Sequence, residues 1–130
     1  MYYQKALVVP AQTSQQDPVV ATLLLTRGVI DRILVGFPPG CAGLCHLQIF
    51  DKGWQILPWT LGESLAWDNY VYDLPQGYPL LAEPFEVTLE AWNDDDTFDH
   101  TLFVGVVMDE KGSLVTLQSP VAIPMPGVVP

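Results

Sequence analysis

Phe85-Glu86-Val87-Thr88-Leu89-Glu90-Ala91-Trp92, the loop Asn93-Asp94-Asp95-Asp96-Thr97-Phe98-Asp99-His100 and Thr101-Leu102-Phe103-Val104-Gly105-Val106-Val107-Met108 together decide the fold class. In the first segment apolar and polar residues alternate with period two, so Phe85, Val87, Leu89 and Ala91 share one face of a strand and Glu86, Thr88 and Glu90 the other. After the loop, Leu102, Val104, Val106 and Met108 again fall on one face. The opposite face, Thr101, Phe103, Gly105 and Val107, is not clearly polar, which predicts a strand covered on both sides. Two antiparallel strands joined by an acidic loop follow, and the architecture is a β-sheet.

Working outward, Pro and Gly break the chain at fairly regular spacing. Strands are predicted over Tyr2 to Val9, Val19 to Thr26, Val29 to Phe37, Leu44 to Phe50, Trp54 to Trp59, Trp67 to Leu74 and Ser113 to Gln118, besides the two already described. Asp51-Lys52-Gly53 reads as a three-residue hairpin loop with Gly in the left-handed position. Pro75-Gln76-Gly77 reads as the end of a strand, and Leu61 to Ala66 as the one candidate helical turn. Eight or nine short, mostly antiparallel strands without long helical periodicity predict an all-β, jelly-roll-like sandwich. The long connections Thr60 to Ala66 and Gln76 to Pro84 suit crossings between two sheets. An immunoglobulin-like sandwich lacks its Cys-Trp-Cys spacing here.

The chain divides into residues 1–18, a strand and a polar loop, residues 19–118, the sandwich, and residues 119–130, an extended arm. It contains 130 residues, enough for one core that buries about two-thirds of the unfolded surface. Hydrophobic residues make up 49% and charged residues only 15%, with mean hydropathy +0.25. Charged content well below the roughly 25% of an average domain leaves neutral or apolar surface, which suggests contact with other subunits. No apolar run reaches the about 18 residues of a spanning helix. The net charge of −10, from 15 acidic and 5 scattered basic residues, argues against direct binding of nucleic acid and against an anionic membrane. Met1-Tyr2-Tyr3-Gln4-Lys5 lacks the basic and apolar regions of a signal peptide, so the expectation is synthesis in the cytoplasm.

The C-terminal segment Ser119-Pro120-Val121-Ala122-Ile123-Pro124-Met125-Pro126-Gly127-Val128-Val129-Pro130 is proline-rich, which predicts an extended, partly polyproline II-like chain. Val121, Ile123, Met125, Val128 and Val129 gain from burial, so docking is expected along the parent sandwich or a neighbouring copy. Tyr2 and Tyr3 are likewise interface candidates, on a strand that pairs with the parent sheet or a neighbour's.

Catalytic patterns are thin. Nucleophile activation requires a base beside a Ser or Cys, the histidines are His46 and His100, and the local signatures of hydrolases, zinc proteases and phosphate loops are missing. The sequence predicts a protein that is not an enzyme and has no cofactor. Asp94, Asp95, Asp96 and Asp99 offer oxygen ligands for calcium, although their spacing is not that of an EF-hand and such runs commonly form solvated turns. Cys41 and Cys45 admit a disulfide, an approximate haem-attachment pattern with His46, or two small buried side chains around a Gly-rich turn, whereas zinc would need a second pair of ligands and only His100 remains among the usual nitrogen and sulfur donors. Trp54, Trp59, Trp67 and Trp92 serve equally as core fillers, interface residues or a sugar-stacking platform.

The runs Val35-Gly36-Phe37-Pro38-Pro39-Gly40, Gln55-Ile56-Leu57-Pro58-Trp59 and Ala91-Trp92-Asn93-Asp94-Asp95 with Asp99-His100 resemble small β-sandwich virion proteins of tailed bacteriophages. The similarity is in particular to proteins that decorate or cement the capsid shell. That resemblance implies a non-enzymatic structural role, with many copies, often trimers, bound to a lattice of major capsid protein in the virion. The alternative is a carbohydrate-binding or receptor-binding sandwich, with the aromatics and the acidic loop, calcium-assisted, as its site.

Overall fold

The computed structural model describes residues 1–109; the expected strand Ser113 to Gln118 and the arm 119–130 lie outside the described residues. Within them are eight strands: β1 Tyr2–Val9, β2 Val19–Leu24, β3 Gly28–Phe37, β4 Cys45–Asp51, β5 Trp54–Leu57, β6 Tyr70–Leu80, β7 Glu86–Asn93 and β8 His100–Asp109. They form two antiparallel four-stranded sheets, in the orders β1-β8-β3-β6 and β2-β7-β4-β5. Among the described residues no helix is long and apolar enough to cross a membrane.

The alternation read from the sequence is the alternation that builds the core. Val87, Leu89 and Ala91 of β7 and Leu102, Val104, Val106 and Met108 of β8 are buried, and they face one another across the sandwich with Leu7, Val9, Ile33, Val35, Leu47 and Ile49. β7 and β8 themselves lie in different sheets, so the acidic loop is a crossing and not a hairpin turn. Arg27-Gly28 sits on a crossing of the same kind, because β2 pairs with β7 whereas β3 pairs with β6 and β8. On the outer face of β8, Gly105 is covered by the Tyr2 ring while Phe103 is exposed.

Three local features depart from simple periodicity. Ile30 and Ile33 are both buried although three residues apart, because Asp31 forms a bulge that resets the phase of β3. β6 runs straight through Pro75-Gln76-Gly77 to Leu80. Proline is tolerated there because β6 is an edge strand, and Pro75 and Pro79 leave fewer N–H groups to recruit another strand. The β4–β5 turn is two residues long, with Asp51 opposite Trp54 and both Lys52 and Gly53 at positive φ (51° and 80°), the geometry of a primed hairpin turn. Leu61 to Ala66 forms no helix; Leu65 instead resumes pairing with Leu47, through N–H to O bonds of 2.9 Å in both directions.

Candidate functional site

β4 links two chemically different ends of the sandwich. At the Asp51 end, the β4–β5 hairpin and the excursion 58–64 frame an open cleft of about 370 Å³ lined by Trp54, Gln55, Ile56, Trp59, Leu61 and Tyr78. Trp54, Trp59 and Leu61 are 69, 73 and 69% exposed, an unusual state for side chains whose burial is worth about 2 kcal/mol or more each. The Gln55 amide and the Tyr78 hydroxyl of this cleft are already engaged within the protein. Gln55 Nε2 donates to the carbonyl oxygens of Pro58, Thr60 and Glu63 at 2.8, 3.2 and 3.1 Å, and its Oε1 accepts from the Gly62 N–H at 3.1 Å. One amide therefore ties together most of the excursion, and Gln48 Nε2 donates to the Glu63 carbonyl beside it at 2.9 Å. Tyr78 Oη donates to Asp51 Oδ2 at 2.5 Å, and Lys52 Nζ donates to Asp51 Oδ1 at 3.0 Å. Burial first, then the Asp51 carboxylate, pushes the Tyr78 hydroxyl up to about 12. What remains facing outward is mostly aromatic and aliphatic carbon, with the indole N–H groups of Trp54 and Trp59.

A second aromatic run follows β6. Trp67, Tyr70, Tyr72 and Phe37 meet edge to face with centroid separations of 6.4, 5.1 and 6.1 Å. Exposed Val71 and Phe103 continue this apolar surface on the outer side of the first sheet. Of the four tryptophans only Trp92 is buried, on the outer side of the second sheet beneath His46, with the rings stacked 4.9 Å apart and 6° from parallel.

The opposite end of β4 is polar and closed. Asn93 is fully buried: its Nδ2 donates to the Val9 and Phe98 carbonyls at 3.1 and 3.0 Å, and its Oδ1 accepts from the Asp95 N–H at 2.9 Å. The four aspartates proposed for calcium each turn to a different partner. Asp94 Oδ2 meets His46 Nε2 at 3.1 Å, and Asp95 Oδ2 meets His100 Nε2 at 2.9 Å. Asp96 accepts from the Thr97 hydroxyl at 2.8 Å, and Asp99 from the Ala11 N–H at 2.9 Å. The His100 hydrogen bond, with those from the Thr97 and Phe98 N–H groups, holds the Asp95 carboxyl below its usual range.

Beside this loop, Cys41 and Cys45 are buried free thiols, and His100 lies against them. Burial raises both thiols above their ordinary value; Cys45 reaches about 12, pushed further by Cys41 and by Asp95 and Asp94. His46 points the other way, as strand alternation requires, and its Nδ1 is 2.9 Å from Ser64 Oγ. Ser64, His46 and Asp94 thus stand in hydrogen-bond sequence, although the imidazole presents Nδ1 to the serine and Nε2 to the carboxylate, the reverse of serine-protease usage. No local pattern reveals this trio, which draws on three separated segments; Cys41 and Cys45 are legible as a local pair, and the fold brings the distant His100 to them.

Tyr2 and Tyr3 lie in β1, paired along β8 of their own sheet, with Tyr2 opposite Val107. Tyr3 Oη bonds to Thr26 Oγ1 at 3.2 Å, while Tyr2 is largely exposed. Val121, Ile123, Met125, Val128 and Val129 lie outside the described residues. Comparison with known proteins gives no match to this chain among family models, curated proteins or solved structures.

Proposed function

We propose that this protein is a non-enzymatic virion structural protein that decorates or cements a capsid lattice, working through the Trp54–Trp59–Leu61 cleft and its own proline-rich segment. The observation that carries the reading is that the cleft exposes aromatic carbon while its Gln55 amide and Tyr78 hydroxyl are bound internally. Such a surface gains by covering with an apolar segment and offers few free groups for a polar ligand. Proline-rich segments dock into aromatic-lined grooves because their extended form loses little entropy on binding. Residues 119–130 supply that chemistry in every copy, and a neighbour's segment seated in the cleft would join subunits into a trimer or larger assembly on a lattice of major capsid protein. The strand orders β1-β8-β3-β6 and β2-β7-β4-β5 support a jelly-roll connectivity for the sandwich.

The test is absolute mass by light scattering across a dilution series, for the full chain, a chain lacking 119–130 and Trp54→Ala/Trp59→Ala. Wild type is expected as a trimer or larger, and both variants as folded monomers. A wild-type monomer at all concentrations, or variants with unchanged mass, would defeat the mechanism. A second reading, a carbohydrate-binding or receptor-binding module, draws on the same exposed tryptophans, since sugar rings stack on indole faces. It requires glycan binding by the wild type that the Trp54→Ala/Trp59→Ala protein lacks, with oligomer mass unaffected.

A further inference from the structure

We propose that Cys41, Cys45 and His100 form a zinc-binding site that fastens the closed end of the sandwich, with Asp95 as the positioning residue for the histidine. The candidate ligand atoms of the three side chains all lie within 4.8 Å of one another. Two sulfurs each about 2.3 Å from a tetrahedral ion stand about 3.8 Å apart, so an ion requires a contraction of at most about 1 Å. Two thiolates and an imidazole are a soft and borderline donor set, which selects zinc over the hard cations calcium and magnesium.

The surroundings are built as a zinc histidine requires. His100 Nε2 is engaged by Asp95 Oδ2 at 2.9 Å, leaving Nδ1 for the metal; a carboxylate on the distal nitrogen fixes the ring and raises its basicity. Asp95 is itself held, because its Oδ1 accepts from the Thr97 and Phe98 N–H groups at 2.9 and 3.3 Å and its own N–H is bound by Asn93. On the other side, Asp68 Oδ1 accepts from the N–H groups of Gly40 and Ala42, each at 2.9 Å, and so clamps both flanks of Cys41. Positive φ at Gly40, Ala42 and Gly43 lets the chain return to Cys45 within one short turn. The ligands come from the β3–β4 turn and the first residues of β4 and β8, so one ion ties three segments together, and a water takes the fourth position. A disulfide between the thiols would use neither His100 nor Asp95.

The experiment uses the full chain, kept reduced with a phosphine, stripped with chelator and titrated with cobalt and then zinc. Expected are one cobalt per chain, with thiolate-to-metal charge transfer in the near ultraviolet and tetrahedral d–d bands in the visible. Zinc should displace the cobalt and remain at one equivalent after dialysis. His100→Gln should abolish the tetrahedral spectrum, and Asp95→Asn should weaken binding by about 10- to 100-fold while keeping it. Since Cys45→Ser risks the fold, the wild-type and His100→Gln spectra decide. No band at one equivalent of cobalt on the reduced protein overturns the site, as does an unchanged spectrum in His100→Gln. These readouts do not depend on oligomer mass, so they stand or fall separately from the assembly reading.

Discussion

The two ends of β4 solve opposite problems. At the Cys45 end, polar side chains point into the protein and are satisfied there: Asn93, Asp95 and His100 bind one another and the backbone of three segments. At the Asp51 end, roughly 20 Å away along the strand, Gln55, Tyr78 and Asp51 are likewise bound, yet the large side chains Trp54, Trp59 and Leu61 are left in water. One end spends its hydrogen bonds on holding loops closed. The other uses mainly the Gln55 amide, helped by Gln48 on the Glu63 carbonyl, to hold open a surface that has not been buried. The lesson is that polar satisfaction measures how rigidly an end is built, while unburied apolar area measures what it is built for.

The comparison breaks most easily at the closed end. Asn93→Ala removes three hydrogen bonds from a fully buried site and leaves the Val9 and Phe98 carbonyls short of a donor, so a loss of about 3 kcal/mol is expected by urea unfolding. A loss under about 1 kcal/mol would mean that the closed end is not held by this amide. At the open end Gln55→Ala frees the excursion 58–64 from four bonds that are partly in water, and a smaller loss of about 1–2 kcal/mol is expected, with Trp59 fluorescence shifting as its loop relaxes. Trp54→Ala/Trp59→Ala sharpens the contrast further. With both rings mostly exposed, folding stability should change by about 0.5 kcal/mol or less, so any collapse of oligomer mass reports the surface and not the fold.

Much of the fold was legible because period-two alternation is a strong, local signal. The inward faces of β7 and β8 and the Val29 to Phe37 strand follow from it directly, whereas the crossing at the acidic loop does not. What was not legible is the pairing: nothing local says that Asn93 stands between two sheets, or that Asp31 would reset the phase of β3. Pro75 looked like a terminus because proline interrupts a paired strand, and only its place on an edge makes it compatible with β6. The candidate sites were hidden for the same reason. His100 is far in sequence from the local pair Cys41 and Cys45, and the acidic run Asp94 to Asp96 with Asp99 offered oxygen ligands without showing the different partner that each one faces. The exposed tryptophans were legible as residues and not as a cleft, since a sequence does not distinguish a core indole from a surface one.

A last effect, well below that of Asn93→Ala, lies where the open end is tied to the core. Tyr78→Phe removes the bond to Asp51, a half-buried contact that Lys52 shares, and about 1 kcal/mol is expected at neutral pH. Its pH dependence separates this bond from simple packing. The folded Tyr78 hydroxyl titrates at about 12, against about 10 in an unfolded chain, so the folded state holds its proton longer. Stability from this group is fully present below pH about 10 and is lost as pH rises through the folded value. Tyr78→Phe should therefore flatten the alkaline limb of the stability profile measured by denaturant unfolding, and it should remove one late-titrating phenol from the absorbance at 295 nm. An alkaline limb identical in wild type and Tyr78→Phe would mean that the Asp51 contact does not bias the hydroxyl. The cleft floor would then be held by the packing of Ile56 and the Tyr78 ring, and the rigidity of the open end would rest mainly on Gln55.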